Sequence, residues 1–146
     1  MKTKTGKKVL LAVSCIGVLC GIASFSAKAE TSGDYTYTVT DGEAEIIDYT
    51  GESSEIIIPS ELDGIPVVSI DSDTFKNNKT ITKVEISDGI EEVGGAAFAY
   101  CSNLQEITFP SSVDTLRNSV LYGCSSLTTL NLPNTINVIE AYALKG

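Results

Sequence analysis

Ile90-Glu91-Glu92-Val93, Phe98, Cys101, Leu104, Ile107 and Phe109-Pro110 are each answered 23 residues later, by Val113-Asp114-Thr115-Leu116, Leu121, Cys124, Leu127, Leu130 and Leu132-Pro133. The same step runs back to Val67, Ile70, Phe75, Ile81, Val84 and Ile86, and forward to Ile136, Ile139 and Leu144. A fixed period of this length predicts stacked coils, with equivalent residues lying one above another. Each coil then holds two short extended pieces. One is the Leu-x-x-Ile-x-Phe-Pro phrase of residues 104–110, which its proline ends because proline has no N–H to donate. The other is the Val-x-x-Leu phrase of residues 113–116. The small residues Gly94-Gly95-Ala96-Ala97 before Phe98 predict a single helical or 3₁₀ turn that presses the aromatic inward. A lone coil buries too few apolar side chains to offset the entropy of ordering it, so the coils must fold as a stack.

Outward from the repeat, the chain divides into four parts. Residues 1–29 have the pattern of a secretory signal. Lys2, Lys4, Lys7 and Lys8 precede an apolar run, and Ala27-Lys28-Ala29 supplies a cleavage site. The apolar run, 17 residues from Val9 to Phe25 with four Gly or Ser interruptions, is short for spanning about 30 Å of hydrocarbon. Neither Cys15 nor Cys20 follows the leucine-then-small pattern of a lipid-attachment signal. Residues 30–34 are polar and read as a linker. Residues 35–55 alternate around Asp41-Gly42 and predict a β-hairpin that covers the apolar end of the first coil. Residues 56–146 form the stack. Its first coil is irregular between Ser60 and Pro66, and its last stops at Gly146 before the strand phrase. A further expectation follows for a chain complete at that point: end-to-end self-association through the uncapped coil.

The charge balance narrows the partners. The chain carries 10 basic and 19 acidic residues; five of the basic ones and none of the acidic ones precede Glu30, which leaves five against 19 and a net charge of −14. Such a surface repels phosphate backbones, so nucleic acid is excluded as a partner, and no membrane association follows once the signal is removed. Cys101 and Cys124 occupy one repeat position in successive coils. Parallel stacking aims both side chains the same way and favours a column of buried thiols, with Asn78 on the same rung, over a bridge between them. With no histidine and no Cys-x-x-Cys, the sequence offers no metal site and no cofactor.

The phrase Val-x-x-Ile, Ala-Phe-x-x-Cys, Ser-x-Leu-x-x-Ile-x-x-Pro, here residues 90–110, resembles the BspA-like leucine-rich-repeat family of bacterial surface proteins. The likeness runs from about Ile56 to Leu144, with departures at residues 74–78 and at Val120-Leu121 that keep the apolar volume. It implies a mainly β, leucine-rich-repeat-type solenoid. It also implies a non-catalytic protein, secreted or held at the cell surface, that adheres to a host matrix protein, a host cell-surface protein or another bacterial surface protein. An alternative stays open: the non-catalytic repeat portion of a larger secreted enzyme or wall-anchored protein. No Leu-Pro-x-Thr-Gly sorting motif supports wall attachment.

Outward positions of the strand phrase form the candidate partner face: Thr82, Lys83 and Glu85, then Gln105, Glu106 and Thr108, then Thr128, Thr129 and Asn131. The plainer reading of the same residues is a solvated sheet side, with Lys83 and Glu106 paired across neighbouring coils. Other chemistry is poorly supported. Asp71-Ser72-Asp73 lacks the glycine and distal glutamate of a calcium loop. Glu91 and Glu92, adjacent along a strand, do not converge on one bond. No histidine serves the serines as a base. Asn78-Lys79-Thr80 is a formal glycosylation acceptor and no more.

Overall fold

The computed structural model describes residues 28–146, so the signal segment read at residues 1–29 lies outside the described residues apart from its last two. The hairpin is β2 (Tyr35–Thr40) and β3 (Glu43–Tyr49), joined by Asp41 and Gly42 at φ 54° and 89°. Left-handed backbone at both central residues matches the right-handed twist of the paired strands. The segment read as a linker is corrected by β1 (Glu30–Ser32), which pairs antiparallel with β2. Its register, Glu30 against Tyr37 and Ser32 against Tyr35, makes it a third strand of the cap.

Past β4 (Glu55–Ile58), the irregular stretch after Ser60 is a second small hairpin. It joins β5 (Glu61–Leu62) to β6 (Ile65–Ile70) through Asp63 and Gly64 at φ 51° and 82°. The cap meets the stack at β6. There β3 runs parallel, with Ala44 opposite Val67 and Ile46 opposite Ile70. All four side chains are buried, so the antiparallel cap and the parallel stack share one core.

The strand phrases stack as one parallel sheet in the order β11 (Thr129–Asn131), β9 (Glu106–Thr108), β7 (Lys83–Ile86) and β4. Val84, Ile107 and Leu130 fall in one row, each 23 residues from the last. Proline's role is visible where it is missing. Ser87 stands where the next coil has Pro110, and its N–H extends the ladder by one bond to the Ile58 carbonyl. The Val-x-x-Leu phrases pair only in twos: β6 with β8 (Glu92–Val93), and β10 (Thr115–Leu116) with β12 (Val138–Ile139). Between β8 and β10, Arg117 makes the link, with one guanidinium nitrogen 3.0 Å from Glu92 and another 3.3 Å from Glu140.

The segment read as a helical turn is not helical, and among the described residues no helix forms. Its amides alternate. Ala96, Phe98 and Tyr100 donate to Asn118, Val120 and Tyr122 in the next coil, whereas Ala97, Ala99 and Cys101 donate three residues back. A helix directs every amide along its own axis and leaves none for a neighbour. Alternation instead makes this side of the coil a third inter-coil ladder. It requires left-handed backbone every fourth residue: Asp73 and Asn77, Ala96 and Tyr100, Ser119 and Gly123, then Tyr142. Each non-glycine residue there costs about 1–2 kcal/mol. Gly94 answers a different demand, since a Cβ on it would lie 2.5 Å from the Ser72 backbone nitrogen in the coil below.

Inside, Phe75 and Phe98 stack at 4.9 Å and 9°, and buried Leu121 holds the equivalent position one coil on. The column continues into the cap, where Tyr49 lies 5.2 Å from Phe75 and Tyr35 lies 5.0 Å from Tyr49. Truncation of Phe98, fully buried, is expected to lower stability by about 3–5 kcal/mol, measured as the urea midpoint of Phe98→Ala. The backbone of the turn ladder gives a second test. Ala97→Gly should destabilise by about 0.5–1 kcal/mol, the usual entropic effect of glycine. Ala96→Gly, one residue away at φ 55°, should be neutral or stabilising in the same titration because it relieves the left-handed strain.

Candidate binding surfaces

The nine predicted residues lie together on the β4-β7-β9-β11 sheet but fall into two groups. Thr82, Gln105 and Thr128 stand at the strand entrances and bond to neighbouring coils. The Thr82 hydroxyl donates to the Ser54 carbonyl at 3.0 Å, the Thr128 hydroxyl donates to the Gln105 backbone carbonyl at 3.2 Å, and the Gln105 backbone N–H donates to the Thr82 carbonyl. The other six face outward in two rows. Lys83, Glu106 and Thr129 make one, with the Lys83 ammonium 3.3 Å from Glu106. That pair is half exposed and contributes a few tenths of a kcal/mol at most, about 0.2–1 kcal/mol being the range for such pairs. Glu85, Thr108 and Asn131 make the second row, and the Asn131 amide donates to the Thr108 hydroxyl at 3.0 Å. The register adds two residues to this face, Glu55 beside Lys83 and Ile57 beside Glu85. Ile57 is 64% exposed, and the row position of the irregular first coil hid it from a 23-residue alignment.

The remaining candidate groups have local partners. Asp71 accepts the Ser72 amide at 2.6 Å and Asp73 pairs with Lys76 at 3.0 Å, which turns both carboxylates to the backbone and side chains beside them. Glu92 is engaged by Arg117, beside Glu91 in an open groove that also holds Ser112 and Asp114. Among the described residues no group of three or more His, Cys, Asp and Glu side chains is placed to hold a metal ion. At the far edge, Leu132 after β11, Val138 and Ile139 of β12, and Leu144 are exposed.

A surface the sequence reading passed over lies on the turn side. Tyr100, Tyr122 and Tyr142 stand edge to face, 5.3 Å and 6.5 Å apart at 76° and 86°. They wall a groove of about 490 Å³ that Lys76 and Lys145 also line. The three tyrosines hold different positions of the repeat, so a period-based reading does not collect them. The signal available was the clustering of tyrosine near the cysteine rung.

The comparisons with known proteins agree with this geometry. A family model described as BspA type leucine-rich repeat region matches residues 40–146 in six copies. This chain belongs to the BspA-type leucine-rich-repeat family. The match starts at residue 40, so it takes in the return strand β3, which the likeness from Ile56 left out. No curated protein matches the chain. Among solved structures it is similar to the T. pallidum leucine-rich-repeat protein, at 25% identity and a TM-score of 0.70 over 77% of this chain and 53% of that one. It is also similar to a leucine-rich-repeat protein from Bacteroides ovatus, at 27% identity and a TM-score of 0.73 over 80% and 33% of the two chains. A leucine-rich cell surface protein from Faecalibacterium prausnitzii gives 25% identity and a TM-score of 0.56 over 85% and 48%. The chain thus spans between a third and about half the length of these relatives.

The BspA-type core keeps its acidic protons. Cys101 and Cys124 are free thiols, buried in register, and each donates to the carbonyl of the aromatic 26 residues earlier: Cys101 to Phe75 at 3.1 Å and Cys124 to Phe98 at 3.2 Å. Burial pushes the Cys101 thiol up to about 12, with the neighbouring Cys124 adding to it, and burial raises Cys124 as well. The Tyr37 phenol, which donates to Asp63 at 3.0 Å, is pushed up to about 12 by burial and then by that carboxylate. Tyr35 reaches about 12 through burial and the nearby Tyr49. Groups whose folded values are raised stabilise the fold fully below their unfolded values, and that stability is lost as the pH climbs to the folded ones. Stability should therefore decline from about pH 9 towards pH 12, read as the urea midpoint across that range. At about pH 8, both thiols should resist a disulfide reagent until denaturant is added.

Proposed function

We propose that this BspA-type repeat protein is secreted or displayed at a cell surface, and that it binds extracellular protein through its strand face without catalysing a reaction. The observation that carries the reading is the outward pair of rows on the parallel sheet. They form a regularly spaced side of the scaffold, with its backbone groups already bonded and its side chains turned outward to meet a partner. The partner is a host matrix or cell-surface protein, or another bacterial surface protein. The F. prausnitzii relative, described as a cell surface protein, supports the location, and the signal pattern of residues 1–29 points the same way. The greater length of the solved relatives favours a second reading, in which these coils are the non-catalytic repeat part of a longer secreted or wall-anchored chain. In either case the exposed apolar edge at Val138 and Ile139 fits a further coil, including one from a second molecule stacked end to end.

The test is direct binding to immobilised extracellular-matrix and bacterial-envelope proteins. A partner on the strand face should lose about tenfold in affinity with Glu85→Lys combined with Asn131→Lys, while the thermal midpoint stays within a few degrees. Unchanged affinity in that variant removes the strand face from the reading. No binding to any member of both panels removes the adhesion reading itself.

A further inference from the structure

Tyrosine is distributed unevenly on the turn side of the stack. One column there runs Lys76, Ala99, Tyr122, Lys145, a second runs Asp73, Ala96, Ser119, Tyr142, and a third runs Asn77, Tyr100, Gly123. Each tyrosine thus comes from a different column, one per coil, yet the three rings meet in a single ladder. The fold does not ask for them. Tyr100 and Tyr142 sit at φ 59° and 60°, on rungs where neighbouring coils use Asn77, Gly123 and Ser119. A bulky aromatic in left-handed backbone is strained, and strain kept at an exposed site points to use. The Tyr100 ring also lies so close over Gly123 that a Cβ there would come within 2.8 Å of it.

We propose that this ladder is a docking groove for an extended polyproline-II segment that carries acidic residues. Three features select that occupant. The rings stand perpendicular to their neighbours, so they form ridges and clefts rather than the flat platform on which a sugar stacks. Successive clefts are spaced by rings 5.3 Å and 6.5 Å apart, matching two residues of a polyproline II strand, which rises about 3.1 Å per residue. Alternate amides of the turn ladder are already bonded from coil to coil, so strand addition has no free edge to use, whereas a proline-rich segment has few donors to satisfy. Charge supplies the fourth constraint. Of the five basic residues after Glu30, Lys76, Lys79 and Lys145 lie on this side; Lys76 is paired with Asp73, Lys79 donates to the Tyr100 carbonyl and Lys145 stands 5.4 Å from the Tyr142 ring centre, so the lysines outnumber the one carboxylate among them. On a chain otherwise rich in carboxylates, that cluster favours an acidic partner.

This inference rests on the reading of the chain as a protein-binding module, but it uses a face away from the strand rows, so the two can fail separately. The probes are a synthetic polyproline peptide flanked by glutamates, the same peptide flanked by lysines, and a neutral β-linked oligosaccharide. With no tryptophan in the chain, the emission that reports binding is that of tyrosine. The glutamate-flanked peptide should bind, Tyr122→Ala should weaken it by about tenfold, and the lysine-flanked peptide should bind less well. Tyr100→Gly should weaken binding similarly while holding or raising the thermal midpoint, an outcome that a merely structural tyrosine does not produce. Glu85→Lys with Asn131→Lys should leave peptide binding unchanged. The assignment is overturned by equal binding to Tyr100→Gly and the parent chain, by preference for the lysine-flanked peptide, by saturable binding of the oligosaccharide alone, or by no peptide binding at millimolar concentration.

Discussion

Hydrogen bonds and side-chain contacts that run from one coil to the next hold this molecule together, because no coil is self-sufficient. Their pattern explains most of the sequence. Valine, isoleucine and leucine recur at fixed steps because parallel pairing places each directly over its counterpart, as Val84, Ile107 and Leu130 show. On the turn side the same requirement produces an unusual backbone, with alternate amides surrendered to the neighbouring coil and left-handed residues every fourth position. Buried polarity is settled in the same way. Both cysteine thiols donate to carbonyls of the preceding coil, and among the described residues no buried side-chain polar atom lacks a partner.

A stack of this kind needs the apolar end of its first coil covered. Here β1, β2 and β3 form an antiparallel unit whose last strand turns parallel against β6. Two of its three tyrosines, Tyr35 and Tyr49, prolong the phenylalanine column, so the cap extends the coil core and does more than cover it. That continuity also accounts for the raised pKa values of the cap tyrosines, whose rings are drawn into apolar surroundings.

The scaffold's own needs are met inside and between coils, so its outer positions are not dictated by the stacking. The strand face is regular and polar, whereas the turn face is irregular and aromatic. A regular face follows from the repeat whatever the protein binds. An irregular cluster assembled from three unlike repeat positions does not follow from it, which sets the tyrosine groove apart from the sheet.

Period, fold class, inward residues and the strand-face rows were legible in the sequence, since a 23-residue step with apolar rungs has few other solutions. The Lys83 and Glu106 pairing followed from that step alone. Three things were not legible. The Asp63-Gly64 hairpin carried an ordinary turn signal but broke the repeat and was absorbed into an irregular joint. The turn segment looked helical because its small residues suit a helix, and only the neighbouring coil's demand for amides makes it a ladder. The tyrosine ladder was invisible because proximity across coils is set by the 22-residue hydrogen-bond offset, as from Tyr100 to Tyr122, rather than by the 23-residue repeat. Sequence by itself determined what each coil buries; tertiary structure decided what adjacent coils present together, because that depends on register between backbones and not on the order of residues within one.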